Sequence, residues 1–419
     1  MRTHARYWVI VFAVTLAIIT YIDRVCISKA SPLIQRDLGL NKQQMGYVFA
    51  AFGWAYALCE IPAGWLGDTI GPRKVLMRVV MMWSVFTAAT GWAWNLISLM
   101  VCRFLFGMGE AGCFPNITKA FTIWLPAAER VRAQGIVWLS ARWGGAFTPL
   151  LVAWVLGFVS WRWAFVLFGA VGIVWAIFFY RWFRDDPRTH PQVSAEELAI
   201  LDGATKNAVG HGSVPWKKFL NSPTVWLLWA QYFCMSCPWS FFITWMPTYL
   251  DESFPQLTPM ERTLLNCVPL FLCGLGSLVC GMISPPVARR IGSVAKTRRL
   301  MGSCGLGTAG VMLVLAIQFK HPLLAVLAIG LAAFWNDFIM PGAWGACMDV
   351  GGRFAGSLSG SMNMMGNAGG AVTPMIVPLV LNATNNDWHA NFWVFAGIYF
   401  LGALCWVFID PVTPLEKEN

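Results

Sequence analysis

The stretch GWLGDTIGPRKVL, from Gly64 to Leu76, is a short polar interruption between two long apolar segments. Apolar runs of about 20 residues, enough for a helix to cross a hydrocarbon core of roughly 30 Å, recur along the whole chain. The composition agrees, because 57% of the 419 residues are apolar and 12% are charged, against roughly 25% charged in soluble domains. The sequence therefore predicts an all-α membrane protein that crosses the bilayer many times.

The hydropathy predicts twelve transmembrane spans. Of the 30 lysines and arginines, 21 lie on the side of the N-terminus and six on the other side, when Arg78, Arg162 and Arg181 at span ends are counted with the adjacent loops, and three lie well inside spans. By the positive-inside rule both termini are cytoplasmic, and the net charge of +10 needs no nucleic-acid partner. We expect a multi-pass protein of the inner (plasma) membrane. The predicted spans are residues 7–28, 45–66, 75–95, 97–118, 133–158, 161–183, 223–250, 263–288, 301–318, 322–348, 356–381 and 390–410.

The two halves of the chain carry matching residues in corresponding spans. GGAFTP at Gly144–Pro149 in span five recurs as GGAVTP at Gly369–Pro374 in span eleven, and Pro115 and Pro341 stand at nearly the same separation in spans four and ten. Matched halves indicate a transporter built from repeats, with its substrate site between them near the bilayer midplane. We expect a six-helix half over residues 1–183, a cytoplasmic linker over 184–222 and a second six-helix half over 223–419.

The opening stretch resembles the loop motif that follows the second span in the major facilitator superfamily. Its acidic residue, at a helix end, is expected to pair with basic groups or with a helix N-terminus in the neighbouring half, and so to hold one conformation. Thr69 stands where the family usually has an arginine, and Pro285 stands where the second copy should have its acid. The residues that match this gating motif are Gly64, Asp68, Gly71, Arg73 and Lys74.

Further motifs resemble the anion:cation symporter family, which includes bacterial galactonate, glucarate and hexuronate transporters and animal vesicular glutamate and sialic acid carriers. They are YIDR in span one, WAY in span two, RFLFGMGEAGCFPN in span four, FFITWMPTYL in span seven and SGSMNMMGNAGG in span eleven. The resemblance implies a major facilitator fold of twelve helices. It also implies that Asp23 and Glu110 are protonation sites and that Arg24, Tyr56 and Arg103 belong to the anion site or its coupling network.

Six charged residues of the first half lie well inside spans, away from the span ends. Each is a candidate for function, because a charge at the centre of a membrane helix costs about 2.5–3.5 kcal/mol. Structural ion pairs are the alternative, although apolar packing would hold the helices equally well. Arginine matches a carboxylate through two parallel hydrogen bonds, and a buried carboxylate can take up and release a proton. The cations are Arg24, Arg103 and Arg142, and the acids are Asp23, Glu60 and Glu110.

The spacing places several of these residues on shared helix faces. Arg103 and Glu110 are seven residues apart in span four, and Tyr56 and Glu60 are four apart in span two. Glu60 is either a third titratable group or the partner of Arg142. Arg142 either binds a dicarboxylate or a bulkier anion, or belongs to a structural pair.

The second half contributes neutral polar and aromatic residues. Ser359, Asn363 and Asn367 recur at intervals of four in span eleven, so one helix face can present hydroxyl and amide groups to a polyhydroxylated ligand. Alternatively, these small residues and amides hold helices together. Trp245, just before Pro247 in span seven, is a candidate for a wall or gate of the substrate cavity.

We predict proton-coupled symport of an organic anion, a sugar acid such as a hexuronate or an aldonate, by alternating access. The alternatives are uniport, anion exchange, and symport of aromatic or dicarboxylic acids. An enzyme or sensor is disfavoured because all five histidines lie outside the predicted spans and no soluble domain is appended. The expected partners are a small organic anion, protons and the lipid bilayer. We expect a monomer with no metal, no cofactor and no nucleic acid.

Overall fold

The structure, a computed structural model, describes residues 4–205 and 214–415, and most of these residues lie in helices. No residue in those two ranges belongs to a β-strand. Their α-helices are α1 (Ala5–Leu38), α2 (Lys42–Ile70), α3 (Pro72–Thr90), α4 (Leu96–Glu110), α5 (Cys113–Trp124), α6 (Ala127–Leu156), α7 (Trp161–Trp182), α8 (Ala195–Thr205), α9 (Trp216–Asn221), α10 (Pro223–Thr244), α11 (Met246–Ser253), α12 (Pro259–Ile291), α13 (Val294–Ala316), α14 (Pro322–Phe338), α15 (Met340–Gly351), α16 (Ala355–Ala383) and α17 (Trp388–Phe408).

Eight helical stretches among the described residues are long and apolar enough to cross a membrane. Helices α4 and α5 together form one of these stretches, and α14 to α16 form another. The chain is therefore a multi-pass membrane protein, whereas the number of twelve spans stays a prediction.

Three of the predicted spans are interrupted. Span four consists of α4 and α5, span seven is broken at Trp245 between α10 and α11, and span ten is broken at Ile339 between α14 and α15. Helix α4 ends at Glu110, and α14 ends one residue after Asp337. An acidic residue thus lies at the C-terminal end of a helix in spans four and ten.

The chain forms two compact units, which we call unit 1 and unit 2. The predicted boundaries of the two halves, at residues 183 and 223, stay a prediction. Unit 1 comprises Met1–Arg130, Trp143–Val214 and Gly351–Ser361, and unit 2 comprises Val131–Arg142, Pro215–Val350 and Met362–Asn419.

In unit 1, α3 packs along α7, and α4 packs against α2 and α3. Close approach is possible because α4 has a glycine at the crossing: a Cβ atom on Gly107 would lie 2.5 Å from the carbonyl oxygen of Phe52 in α2. Small residues at such crossings let membrane helices pack closely. The backbone of α4, which carries Arg103 and Glu110, is therefore held directly against α2.

In unit 2, α12 packs along α14, α13 packs against α14 and α17, and α10 packs against α17. Side chains of α12 bond to carbonyl groups of α14, since Cys273 Sγ donates to Ala333 O at 3.3 Å and Ser277 Oγ donates to Asp337 O at 3.0 Å. The end of a helix leaves its last carbonyl groups without intrahelical donors. Ser277 therefore supports the interruption of span ten.

Local sequence fixes where several membrane helices begin and end. Asn41 caps α2, Asn95 caps α4 and Thr258 caps α12, each accepting a hydrogen bond from the N–H group three residues later. Helix α1 ends at Gly39, whose φ of 65° is left-handed and suits glycine. Loss of such an N-cap typically costs about 1 kcal/mol.

The first part of the predicted linker lies against unit 1, while its residues 206–213 lie outside the described residues. The ring of His190 packs against Trp124 and Trp182, with centroids 5.3 and 4.8 Å away. His190 Nδ1 accepts a hydrogen bond from Gln192 N at 3.2 Å. Burial lowers the pKa of His190, because the charged ring loses contact with water.

Candidate functional site

Arg24 and Glu110 form an ion pair within unit 1. Arg24 Nε and Nη2 both donate to a single carboxylate oxygen, Glu110 Oε1, at 3.0 and 2.6 Å. The other oxygen, Glu110 Oε2, is buried and accepts no hydrogen bond from the residues that the structure describes. One oxygen of the carboxylate therefore accepts both hydrogen bonds of the ion pair, and the other accepts none from these residues.

Aromatic rings surround the guanidinium of Arg24. Its Cζ atom lies 4.8 Å from the ring centre of Tyr56, 5.3 Å from that of Phe52 and 5.4 Å from that of Tyr21. Tyr56 is buried on α2, and Glu60 is fully buried one turn later. The side chain of Arg24 is 24% exposed.

Asp23 precedes Arg24 on α1 and is fully buried. Neither of its carboxylate oxygens has a hydrogen-bond partner in the described part of the chain. Its electrostatic neighbours are Glu110 and Arg103, and the indole of Trp83 is also close. An ionised carboxyl without hydrogen bonds is costly to bury. The charge of Asp23 must therefore be balanced by a nearby cation or removed by a proton.

Arg103 lies on α4 and is 1% exposed. Its Nε and Nη1 atoms find no acceptor among the described residues. The guanidinium lies 4.1 Å from the ring centre of Phe106 and 5.3 Å from that of Phe52, so the ring of Phe52 lies near both Arg24 and Arg103. The structure thus brings together five residues that the sequence predicted as one network: Asp23, Arg24, Tyr56, Arg103 and Glu110.

Arg142 lies in unit 2 and pairs with Asp337, an acid that the sequence analysis did not propose as its partner. Arg142 Nε donates to Asp337 Oδ2 at 2.5 Å, and Nη2 donates to Oδ1 at 3.3 Å. The Arg142 side chain is 4% exposed and that of Asp337 is fully buried. The guanidinium also stacks on Trp239 at 4.3 Å. A role for Glu60 as a third titratable group stays a prediction.

The polar residues predicted on span eleven all lie on α16. Ser359 Oγ donates to the carbonyl oxygen of Ala355 at 2.7 Å, and Asn367 Nδ2 donates to that of Asn363 at 3.0 Å. Ser359 and Asn363 are buried, and Asn367 is partly exposed. Because the hydroxyl of Ser359 donates to its own helix, it must rotate before it can donate to a ligand, although it can accept a hydrogen bond as it stands. Ligand binding by these residues stays a prediction.

Trp245 lies at the break between α10 and α11 and is partly buried. Its ring centre is 6.2 Å from that of Trp388. Its Nε1 atom is buried and donates no hydrogen bond within the described ranges. The role of Trp245 as a wall or gate stays a prediction.

Asp68 of the gating motif binds the first turn of α16, within unit 1. Its Oδ1 accepts from Gly356 N at 3.0 Å, and its Oδ2 accepts from Ser357 N at 2.6 Å and from Ser357 Oγ at 2.7 Å. Lys119 Nζ lies 3.6 Å from Asp68 Oδ1 and donates to Arg353 O at 2.5 Å. All the donors and the carboxylate are buried. The geometry is that of an anion at a helix N-terminus.

The other motif residues lie around Asp68 and the start of α3. Gly64 leaves no room for a Cβ atom beside the backbone of Gly356. Gly71 has a φ of 89° and faces Asp185, which accepts from Arg73 N at 2.8 Å. Burial raises the pKa of Asp185, and this hydrogen bond opposes the shift. Lys74 is exposed.

Sequence reasoning missed three charged residues that matter to this geometry. Lys119 falls just beyond the predicted end of span four, and Asp185 falls in the predicted linker, so neither counted as an intramembrane charge. Asp337 lies within predicted span ten, and its separation from Glu110 along the chain nearly equals that between Pro115 and Pro341. That shared separation was the signal that could have found it.

The chain is similar to known transporters over nearly its whole length. A family model described as the Major Facilitator Superfamily matches residues 13–374. A probable sulfoacetate transporter of Cupriavidus necator is 32% identical and aligns with 100% of this chain and 97% of its own length. The D-galactonate transporter of Escherichia coli is 31% identical over 89% of this chain and 88% of its own length. The solved structure of the proton:xylose symporter XylE, with a TM-score of 0.74 and 13% identity over 97% of both chains, shows the same fold.

Proposed function

Because the chain belongs to the Major Facilitator Superfamily, a superfamily of transporters and not of enzymes, we propose that it carries an organic anion together with protons by alternating access. The all-α major facilitator fold and the superfamily predicted from the motifs are confirmed. Relatives are named as transporters of sulfoacetate, D-galactonate and galactarate or D-glucarate, all of which are organic anions. These names support an anionic substrate.

The observation that carries the proposal is the one-sided ion pair between Arg24 and Glu110. While Glu110 is ionised, its Oε1 occupies two N–H groups of Arg24 that suit a substrate carboxylate. A proton on Oε2, which has no hydrogen-bond partner in the described part of the chain, removes the charge that holds Arg24. The guanidinium can then bind the substrate anion, so proton uptake and anion binding are linked at one pair.

The remaining residues of the unit 1 network have supporting roles in this proposal. Asp23 is a second proton carrier, because its buried oxygens have no hydrogen bonds to described residues that protonation would break. Arg103 supplies the cation that balances Asp23 while it is ionised. Tyr56 orients Arg24, and Glu60 is a third candidate for proton binding.

The proposed substrate is a sugar acid such as a hexuronate or an aldonate. Hydroxyl groups of such a ligand need neutral polar partners in addition to arginine, and α16 carries the candidates. The relatives named as transporters of sulfoacetate and of galactarate or D-glucarate support an alternative substrate that carries a sulfonate or a second carboxylate. Aromatic acids, and uniport or exchange without protons, are the alternatives. The proposed ligand-binding residues beyond unit 1's network are Arg142, Trp245, Ser359, Asn363 and Asn367.

The proposed setting is the inner membrane, with both termini cytoplasmic and a monomer as the working unit. The six-helix halves, residues 1–183 and 223–419, alternate access around the substrate while residues 184–222 connect them. The contact of Asp68 with α16 supports a latch that holds one of the alternating conformations. Gly64 and Gly71 permit the close approach that this latch needs.

Transport into proteoliposomes tests the proposal. Wild type should accumulate D-galactonate or sulfoacetate when an inward proton gradient is imposed. Glu110→Gln should lose this driven uptake and keep gradient-independent counterflow, because the glutamine cannot carry a proton. Glu196→Gln, a change of the same kind at an exposed position of α8, is the control and should behave as wild type.

Two results separate the alternatives. Accumulation by wild type that does not respond to the proton gradient, with counterflow intact, would establish uniport or exchange and refute symport. Unchanged affinity for the anion in Arg24→Ala, measured by ligand-induced thermal stabilisation, would refute the assignment of Arg24 to the anion.

A further inference from the structure

Unit 2 contains an acid in the same structural position as Glu110. Asp337 is the penultimate residue of α14, where span ten is broken, just as Glu110 is the last residue of α4, where span four is broken. The second segment of each broken span has a proline in its first turn, Pro115 in α5 and Pro341 in α15. The two acids and the two prolines therefore occupy matching places in the internal repeat.

The ion pairs of these two acids also match. Arg142 uses Nε and Nη2 to hold Asp337, and Arg24 uses the same two atoms to hold Glu110. Both acids are fully buried. Each acid also lies at the C-terminal end of a helix, where the helix dipole disfavours a negative charge. An ionised Asp337 therefore depends on Arg142 in the way that an ionised Glu110 depends on Arg24.

The surroundings of Asp337 contain polar atoms that its neutral form can use. Asn336 Nδ2 donates to Asp337 Oδ1 at 2.9 Å, whereas Asn336 Oδ1 is buried without a partner among the described residues. The hydroxyl of Tyr399, an electrostatic neighbour of Asp337, is also buried and unpartnered there. A protonated carboxyl is a hydrogen-bond donor. A rotated Asn336 amide and the Tyr399 oxygen are both acceptors for it.

We propose that Asp337 is a further proton-binding carboxylate of the transport cycle, in addition to Glu110 and Asp23, and the counterpart in unit 2 of Glu110. The inference rests on the proposed function. The groups that face Asp337 are Arg142 from α6, Cys273 from α12 and Tyr399 from α17, in addition to Asn336 on its own helix. Arg142 is thus the positive charge that sets the state of the carboxyl.

The proton step involves no covalent change beyond the O–H bond. A proton from water on the side to which the carrier is open adds to Asp337 Oδ2, and both hydrogen bonds from Arg142, that of Nε to Oδ2 and that of Nη2 to Oδ1, break. The guanidinium keeps its charge and becomes available to an anion. When the carrier opens to the other side, Asp337 returns the proton to water and the pair forms again. Each cycle then moves one proton more than Glu110 and Asp23 account for.

The number of protons per substrate measures this directly. In proteoliposomes with the membrane potential clamped at zero, the logarithm of the accumulation ratio of D-galactonate or sulfoacetate is plotted against the imposed pH difference. The slope is the number of protons per substrate. The variant Asp337→Asn removes the carboxyl that would bind the proton and keeps Arg142, which is among the proposed ligand-binding residues. Its slope should be lower by about one, which makes accumulation about tenfold lower for each pH unit.

A matched control is available in unit 2. Arg262 and Asp251 form an exposed ion pair at 2.8 Å, so Asp251→Asn makes the same change in charge away from the buried site. This control should keep the wild-type slope. Where Asp337→Asn does not fold, Arg142→Gln/Asp337→Asn serves instead, because it leaves no unpaired charge at the buried site.

The outcomes distinguish this inference from the function on which it rests. A wild-type slope that falls by about one in the buried variant, and not in the control, supports Asp337 as a proton site. A proton-coupled wild type whose slope is unchanged in the buried variant overturns the inference and leaves the proposed function standing. A wild type that accumulates neither acid in response to the pH difference refutes both.

Discussion

Replacing Asp68 by asparagine should destabilise the protein more than Lys119→Met or Asp251→Asn, which also remove a single charge. The carboxylate of Asp68 accepts three hydrogen bonds, from Gly356 N, Ser357 N and Ser357 Oγ, and has the ammonium group of Lys119 3.6 Å away. In Asp68→Asn, one of the two oxygens becomes an NH2 group that faces donors. At least one donor then loses its acceptor, and the buried Lys119 loses the negative charge 3.6 Å away.

The geometry sets the size of the effect. A hydrogen bond to a charged group contributes about 1.5–3 kcal/mol, and the removal of one partner from a buried ion pair costs about 3–5 kcal/mol. We therefore expect Asp68→Asn to lower the free energy of unfolding by about 3–5 kcal/mol. Lys119→Met should cost less, about 1–3 kcal/mol, because Asp68 keeps its three hydrogen bonds. The double variant should cost less than the sum of the two, with a coupling of about 0.5–3 kcal/mol.

Unfolding of the purified variants in mixed micelles, followed by tryptophan fluorescence, measures these values. Asp251→Asn is the matched control, because it neutralises an aspartate whose side chain is 58% exposed; exposed ion pairs contribute about 0–1 kcal/mol. A loss in Asp68→Asn no larger than in Asp251→Asn would refute the argument. Strict additivity of Asp68→Asn and Lys119→Met would show that the two residues do not interact.

Individual contacts allow three further predictions. Gly107→Val should prevent stable folding, because the valine side chain would overlap the carbonyl of Phe52. The control Gly307→Val, at a glycine with open space around it, should give a monodisperse protein. Equal size-exclusion profiles of the two variants would contradict the packing argument. Asp23→Asn should abolish proton-driven uptake. It should change the free energy of unfolding by at most about 1 kcal/mol, because no hydrogen bond to a described residue is lost. A loss of stability above about 3 kcal/mol would instead assign Asp23 a role in the fold. Burial lowers the pKa of His190 in the folded protein below the unfolded value of about 6.5. The neutral ring therefore contributes stability above that value, and this stability is lost as the pH falls from there through the lower pKa of the folded protein. The melting temperature should fall less on acidification in His190→Gln than in wild type, and equal falls would rule this out.

Much of the unit 1 network could be predicted from the sequence, because buried charges in membrane helices are rare and therefore conspicuous. The seven-residue spacing placed Arg103 and Glu110 on one face of span four, and the structure shows Arg103 against the ring of Phe52 in α2 and Glu110 bonded to Arg24 of α1. The motif around Asp68 likewise predicted an acid that meets a helix N-terminus. In both cases the chemistry is local or belongs to a recognisable motif.

The partners of those charges could not be predicted, because they come from distant parts of the chain. The pairs Arg142 with Asp337 and Asp68 with Ser357 join residues 195 and 289 positions apart. Hydropathy also places Lys119 outside the spans, since it follows the last apolar run of span four directly. The interruptions of spans four and ten were invisible for a different reason: a window that averages hydropathy does not register a short break in the helix.

The acids in this chain differ in how many of their lone pairs are occupied by described residues, and this difference separates their roles. A carboxylate offers about four acceptor positions. Asp68 has hydrogen bonds on both oxygens, so a proton there competes with existing donors. Among the described residues, Glu110 has both donors on one oxygen and none on the other, and Asp23 has none on either. Asp337 also has hydrogen bonds on both oxygens, but two of the three come from a single group, the guanidinium of Arg142, and the third comes from Asn336. A proton can therefore bind to Asp23 or Glu110 without breaking a hydrogen bond within that part of the chain, to Asp337 only as Arg142 leaves, and to Asp68 only in competition with the bonds that hold α16.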